Sequence, residues 1–549
     1  MRKILKASAG TGKTYRLSLE YVNALLSGES FAEIVVMTFT RKATAEIRER
    51  IFAHLEDLVC RGEESPVWKN LQPIRDEAGV QAPLHLPLLE RIYRAMLENK
   101  DRLHIHTIDS FLNHLFKQAV APYLGIYRYT IVEEEKNKEI AAEVFKKMLD
   151  NPDDFALMEK FLADNPERDI DHYLGLIDEI LKNRWKFLLI QRRPRASLPS
   201  SGPVPALEET IRLAREAAAA KGCPWNEFLC KEFQGILPQY LEDLPAMASQ
   251  EKEEFILKHR HAFLSRPFWN GNELRGKEWE GVKEELLGRY EEFRRELATC
   301  IHNREMIPYE EEIFRFSNRI FELYDRIKLK TKEFSPTDIS NYTYLYLNDG
   351  NLGLLKDGKA SAYLFELLGA EVKTLFIDEF QDTSILQWKI LQPLLEGKVR
   401  VIAVGDEKQS IYGWRGGEKE LFAGLDRILG GKSERLKTCY RSEREITGFV
   451  NRFCRRLAAA GWDYEDVEHL PAKTGGYVEI LLGGTALKTA TDTKAFQQLS
   501  PAEQQAIMEC NGLVVENLPR AIAKRLKELP VDYSDTVVLA RTGADLMAI

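Results

Sequence analysis

The sequence predicts an α/β protein: a parallel sheet with a glycine-rich loop after its first strand, a long helical insertion, and part of a second α/β domain. Three observations lead there. The segment Ala7-Ser8-Ala9-Gly10-Thr11-Gly12-Lys13-Thr14 stands between a short apolar run and an amphipathic helix, almost at the first residue. Five short apolar runs, most of them followed by a polar turn and a helix, lie in the two flanks of the chain. Between those flanks, more than two hundred residues rich in Glu, Lys, Arg, Leu and aromatics keep helical spacing.

The five runs are Ile4-Leu5, Ile34 to Phe39, Leu103 to Ile108, Thr374 to Ile377 and Val399 to Val404. After the first, Leu17, Tyr21, Val22, Leu25 and Leu26 fall on one helical face, and Ile47, Ile51, Leu55 and Leu58 do so after the second. This alternation is the pattern of a RecA-like sheet. The expected division is therefore a first RecA-like domain from 1–120 and 335–430, a helical insertion domain over 121–334, and a partial second RecA-like domain over 431–549. Inside the insertion, Gln191 to Pro205 concentrates Pro, Ser and Arg, which reads as a solvated linker in preference to a phosphate-contacting patch. Beyond Gly430-Gly431 the expected elements are a strand at Leu436 to Tyr440, a helix at Glu443 to Leu457, and strands at Val478 to Leu482 and Thr536 to Leu539. Arg541 to Ile549 resembles the first turns of a helix.

Composition narrows the classes of function. With 549 residues, 44% of them apolar, the chain can bury several cores, about three to four by length. A formal net charge of −8 provides no global basic field, so any polyanion site has to be a local groove. The seven cysteines are scattered and lack metal-ligand spacing, which fits reduced thiols in a cytoplasmic protein. Met1-Arg2-Lys3 leads straight into the first strand, leaving no room for a signal peptide, and no apolar run has the length of a membrane span.

The chemistry gathers at three places. Small residues in the loop let successive backbone N–H groups close around phosphate oxygens, Lys13 adds a mobile charge, and the Thr14 hydroxyl is placed to hold Mg²⁺. The strict pattern asks for Gly where Ala7 stands, a small residue that leaves the reading intact. Thr374-Leu375-Phe376-Ile377-Asp378-Glu379 is an apolar strand ending in two carboxylates, with Asp378 suited to the Mg²⁺ shell and Glu379 to orienting or deprotonating water. Alone this pair is a common surface turn; together with the loop it points to nucleoside triphosphate hydrolysis. Gly405 to Gly416 then sets Gln409, a candidate γ-phosphate sensor, before Tyr412 and Trp414, whose flat faces suit unpaired bases.

Seven segments in order resemble the superfamily-1 helicases of the UvrD/Rep type, and within them the RecB and AddA subunits of helicase-nucleases. They are ASAGTGKT at 7–14, VVMTFTRKATAEIRERI at 35–51, IHTIDSF at 105–111, FSPTDI at 334–339, FIDEFQDTS at 376–384, GDEKQSIYGWRGG at 405–417 and LKTCYRS at 436–442. The resemblance spans both α/β regions and leaves out the helical insertion. It implies ATP phosphate contacts from Ala9, Gly10, Thr11, Gly12, Lys13 and Thr14, Mg²⁺ binding by Thr14 and Asp378, and water activation by Glu379. It also implies γ-phosphate contacts from Gln409 and Arg441 and adenine stacking on Tyr440. Phe39, Tyr412, Trp414 and Arg415 would line a single-stranded DNA track. Thr38, Thr40 and His106 are candidates for nucleic-acid backbone contacts, each equally readable as a structural hydrogen bond.

The sequence departs from the resemblance in two ways. No glutamine element precedes the loop to read adenine, which leaves that task to Tyr440 and the loop. The later motifs of the second motor domain, its last arginine included, and a nuclease domain are absent from these 549 residues, so the chain reads as the front part of a longer protein. The resemblance implies ATP-driven 3′-to-5′ translocation on DNA in double-strand-break repair, and its possible partner is a second helicase-nuclease subunit. An ATP-binding scaffold subunit without motor activity and an RNA-directed helicase are the alternatives.

Overall fold

A computed structural model describes residues 2–77, 83–162, 170–190, 198, 200–243, 248–270, 280–369, 371–395, 399–411, 413, 419–458, 464–483, 500–501, 504, 514–515 and 518–548. The chain forms two compact units. One comprises Met1–Ile105, Thr374–Asp382 and Arg400–Ile549, and the other His106–Lys373 and Thr383–Val399.

Six strands make one sheet: β1 (Arg2–Lys6), β2 (Ile34–Thr38), β3 (Ile105–Thr107), β4 (Thr374–Ile377), β5 (Arg400–Gly405) and β6 (Lys432–Arg435). Their order is β6-β1-β5-β4-β2-β3, with β1 parallel to both β5 and β6, and β4 parallel to both β2 and β5. All five apolar runs seen in the sequence are strands of this sheet. Their near-continuous apolar character follows from position, because a parallel strand covered on both faces has no solvent side on which to place polar residues. Leu5, Val36, Phe376, Ile402 and Val404 are buried in one core with Leu17, Tyr21, Val22 and Leu25 of α1 (Lys13–Leu26) and Ile47, Ile51, Leu55 and Leu58 of α2 (Arg41–Arg61). Each such side chain contributes roughly 1.5–3 kcal/mol on burial.

The sixth strand differs from expectation. The sequence places a strand at Leu436 to Tyr440, whereas the ladder on β1 is made by Lys432-Ser433-Glu434-Arg435 and only Thr438–Cys439 pairs further on, with Glu468–His469. Edge position and ion pairing decide this strand, and neither leaves an apolar signature. The helix Arg444–Ala458 forms where one was expected. Of the run Val478 to Leu482, only Leu482 is in a strand, Leu482–Gly483, which pairs with Val514–Val515. Thr536 to Leu539 forms no strand; Val537 and Leu539 are 77% and 89% exposed, and among the described residues no ladder partner lies beside them. The short helix Gly543–Ala548 follows.

The second unit is helical, with separate apolar cores around Phe228, Phe233, Phe263 and Phe293, around Val144, Met148, Phe316 and Ile320, and around Phe116, Phe334 and Tyr342. Its entering and leaving segments, Thr130–Ile131 and Glu333–Phe334, pair in parallel. The FSPTDI segment closes this junction: Ser335 caps the helix Pro336–Leu347, while buried Asp338 accepts from the Tyr324 hydroxyl at 2.7 Å and pairs with buried Lys328 at 2.7 Å. Of the expected linker Gln191 to Pro205, residues 191–197 and 199 lie outside the described residues, and Pro203 already opens the helix Pro203–Ala220. Among the described residues no helix is long and apolar enough to cross a membrane.

Candidate functional site at the phosphate loop

The loop between β1 and α1 needs glycine at two positions. Gly10 and Gly12 both have φ of 76°, in the left-handed region that costs other residues roughly 1 kcal/mol or more. Gly10 has no room for a side chain either, since a Cβ there would lie 2.7 Å from Arg441 Cβ and 2.9 Å from Cys439 Sγ. Thr11 braces the turn, its hydroxyl donating to the Ser8 carbonyl at 2.8 Å and accepting from the Ser8 N–H at 3.2 Å. The Ala7 N–H donates to the Gly405 carbonyl at 2.9 Å, anchoring the loop on β5. The N-terminus of α1 then begins at Lys13, with Thr14 as its second residue.

The segment carrying Tyr440 and Arg441 lies against this loop. The Tyr440 N–H donates to the Gly10 carbonyl at 2.8 Å, Cys439 Sγ donates to the Ala9 carbonyl at 3.6 Å, and a Cβ on Gly12 would lie 3.6 Å from the Tyr440 ring. Tyr440 and Arg441 are themselves exposed. Two residues 430 positions apart thus meet through the backbone.

On the other side stand the carboxylates that end β4. Lys13 Nζ lies 2.6 Å from Glu379 Oε2, a contact between residues 366 positions apart. Asp378 is buried at the strand end, its N–H donating to the Met37 carbonyl at 2.8 Å. Burial, and then the neighbouring Glu379 charge, push its carboxyl up to about 7, with Lys13 opposing them. Glu379 adopts φ of 51°, a conformation costing about 1–3 kcal/mol for a non-glycine residue. Its N–H is held by Asp378 Oδ1 at 3.0 Å, and its carboxylate by Lys13 and by Gln381 Nε2 at 2.7 Å. Asp382 is raised to about 6, by burial first and Glu379 second.

Gln381 and Asp406 were given no role by sequence reasoning. The Gln381 amide donates to Glu379 and accepts from the Asp406 N–H at 2.9 Å, linking the end of β4 to the turn after β5. Asp406, buried, accepts from Gln409 Nε2 at 2.7 Å and pairs with Lys408 at 2.9 Å. Gln409, expected as a γ-phosphate sensor, is therefore held by Asp406. The signal available in sequence was the presence of amide and carboxylate groups directly after two apolar strands, where unpaired polar groups would be costly to bury.

The remaining candidates divide. Thr38 and Thr40 make structural bonds: the Thr38 hydroxyl donates to the Thr40 carbonyl at 3.0 Å, and Thr40 caps α2 through the Ala43 N–H at 3.1 Å. Phe39, half-buried, follows β2 directly, and His106 is in β3. Tyr412, Trp414 and Arg415 lie outside the described residues. Asp378 and Thr14 offer oxygen donors of the kind Mg²⁺ takes, and a cation would offset the burial of Asp378. Among the described residues no group of three or more His, Cys, Asp or Glu is arranged to hold a metal ion.

Residues 2–428 match the profile of the UvrD/REP helicase N-terminal domain family. An ATP-dependent helicase/nuclease subunit of the AddA type from Listeria monocytogenes serotype 4b is 24% identical over 599 aligned positions, covering 98% of this chain and 46% of the relative. Its counterpart from Geobacillus thermodenitrificans is 23% identical, with 98% and 46% covered. The RecBCD enzyme subunit RecB of Escherichia coli K12 is 24% identical, with 86% of this chain and 39% of the relative covered. The chain therefore spans a little under half the length of these relatives.

Proposed function

Because the chain belongs to the UvrD/REP helicase N-terminal domain family, we propose that it is the ATP-binding front part of a 3′-to-5′ DNA translocase of the RecB/AddA kind. The whole protein would act in the cytoplasm, in double-strand-break repair and recombination, partnered by a second helicase-nuclease subunit. The observation that carries this reading is the meeting of Lys13 with Glu379, beside buried Asp378, at the mouth of the glycine loop. We assign 1–120 and 335–430 to a first RecA-like domain, 121–334 to the helical insertion domain and 431–549 to part of a second RecA-like domain.

In this mechanism the N–H groups from Ala9 to Thr14 and the Lys13 ammonium bind the triphosphate, and Tyr440 takes the adenine on its exposed ring. Thr14 and Asp378 would hold Mg²⁺, which supplies charge compensation at the phosphates. An arriving phosphate competes with Glu379 for Lys13. Glu379, released from its 2.6 Å ion pair, is then free to take a proton from the attacking water. Gln409 would turn from Asp406, and Arg441 from solvent, toward the terminal phosphate. Phe39, Tyr412, Trp414 and Arg415 would line the track of a single DNA strand. A transition-state arginine is worth about 10³–10⁵ in rate, so the 549-residue chain, which carries no match to the last motor arginine, is expected to bind ATP·Mg²⁺ and DNA yet turn over slowly.

The test is ATP hydrolysis with DNA and RNA oligonucleotides of one sequence. Slow turnover, stimulated more by DNA, is expected. Preference for RNA would make this an RNA-directed enzyme, indifference to both would favour an ATP-switched scaffold, and vigorous DNA-stimulated turnover would refute the expected slowness.

A further inference from the structure

The edge strand β6 reads Lys432-Ser433-Glu434-Arg435, with no apolar residue to select its register on β1. Polar strands are the ones in which register is weakly specified, and a slip of one residue displaces the chain by about 3.3 Å and turns every side chain to the other face. Yet this strand leads directly to the Tyr440–Arg441 pair. From Lys3↔Lys432 through Lys6↔Arg435, then Leu436 N–H to the Lys6 carbonyl and Tyr440 N–H to the Gly10 carbonyl, it shadows β1 and the phosphate loop at a nearly constant offset.

Ion pairing supplies the missing register. Glu434 Oε2 lies 2.7 Å from Lys3 Nζ, and Lys3 is almost wholly buried. Arg16, one turn beyond Lys13 on the loop helix, reaches the same carboxylate with both terminal nitrogens, at 3.2 and 3.3 Å. The two cations share further carboxylates: buried Glu20 at 3.4 Å from Lys3 and 3.2 Å from Arg16, and Glu77 at 2.6 Å from Lys3. A slip one way would bring Arg435 against Lys3 and Arg16, and a slip the other way would offer them Ser433. Both leave two largely buried cations short of a partner, and a buried polar group serving as register pin is the best-attested use of such pairs.

We propose that Glu434 is a positioning residue for nucleotide: by pairing with Lys3 and Arg16 it fixes the register of the edge strand, and through it the placement of Tyr440 and Arg441 over the phosphate loop. Glu434 itself touches no nucleotide. The proposal rests on the reading of Tyr440 and Arg441 as ATP contacts.

Two measurements on the 549-residue chain test it. Hydrogen exchange of the Tyr440 amide, which donates to Gly10, reads the register without any ligand. Glu434→Gln is expected to speed exchange there by about tenfold or more while amides of β5 keep their protection. Unchanged Tyr440 protection would overturn the pin. Affinity for a fluorescent ATP analogue with Mg²⁺ then reads the consequence, with an expected loss of about tenfold in Glu434→Gln and less than about twofold when the same change is made in a Tyr440→Ala/Arg441→Ala chain. Equal losses in both backgrounds would show a merely structural role and overturn the proposal. If the unaltered chain binds no ATP analogue, the nucleotide reading falls, and the exchange measurement still decides the register pin. Arg16→Gln tests the same pin from the loop helix should Glu434→Gln not fold.

Discussion

Ile377 and Ala403, at the site end of the sheet, are fully buried between parallel neighbours, whereas Val537 and Leu539, from an equally apolar run in the same compact unit, are mostly exposed. Both pairs look like strand in sequence. The difference is the ladder: β4 is paired on both edges, by β2 and β5, and 536–539 has no pairing partner among the described residues. Apolar content proposes a strand, and backbone pairing makes it one. Chemistry follows the paired region, because a carboxylate such as Asp378 can be held buried only where rigid neighbours satisfy its backbone and a cation stands near.

That contrast can be broken at several points. Lys13→Ala is expected to abolish ATP hydrolysis while sparing most of the DNA affinity, measured by anisotropy of a labelled oligonucleotide; joint loss of both would contradict the division of roles. Glu379→Gln should lower hydrolysis by about 10²–10⁴ while leaving ATP binding nearly unchanged, and turnover at the unaltered rate would remove Glu379 from the water-activating role. In the paired region, Phe376→Ala is expected to cost about 3–5 kcal/mol in denaturant unfolding. Leu539→Ala should stay within about 0.5 kcal/mol, and a large loss there would mean that this run is packed after all.

A further prediction concerns pH and sharpens the same contrast. The Asp378 carboxyl is raised in the folded chain from the ordinary carboxylate range to about 7, so the folded state binds its proton more tightly than the unfolded state does. Its contribution to stability is therefore present at low pH and is lost as pH rises toward 7, the reverse of an ion-paired surface carboxylate. Asp382, raised to about 6, adds in the same direction. Asp378→Asn should flatten that part of the dependence in nucleotide-free unfolding curves between pH 4 and 7. An identical slope in the variant would remove Asp378 as its source.

Much of the fold was legible because the evidence for it is local. The glycine loop, the two helices after β1 and β2, and all five central strands announce themselves within a few residues of one another. The site was legible for the same reason at Lys13, Asp378 and Glu379, each placed by the strand or helix beside it. What sequence did not reveal depends on distance along the chain. Gln381 gains its role from the Asp406 N–H, Gln409 is turned by Asp406, and Glu434 has meaning only beside Lys3 and Arg16. The strand β6 was missed because its side chains are polar and its place is set by ion pairs. The run 536–539 was expected as a strand because alternation was counted without asking what would lie alongside it.

The central claim is that Lys13 and the Asp378–Glu379 pair surround the phosphates of one nucleotide. Calorimetric titration of ATP, with and without Mg²⁺, into the unaltered chain, Lys13→Ala and Asp378→Asn tests it most directly. One ATP per chain is expected, with affinity lost in Lys13→Ala and the dependence on Mg²⁺ lost in Asp378→Asn. Binding of ATP·Mg²⁺ by both variants with undiminished affinity would contradict the claim.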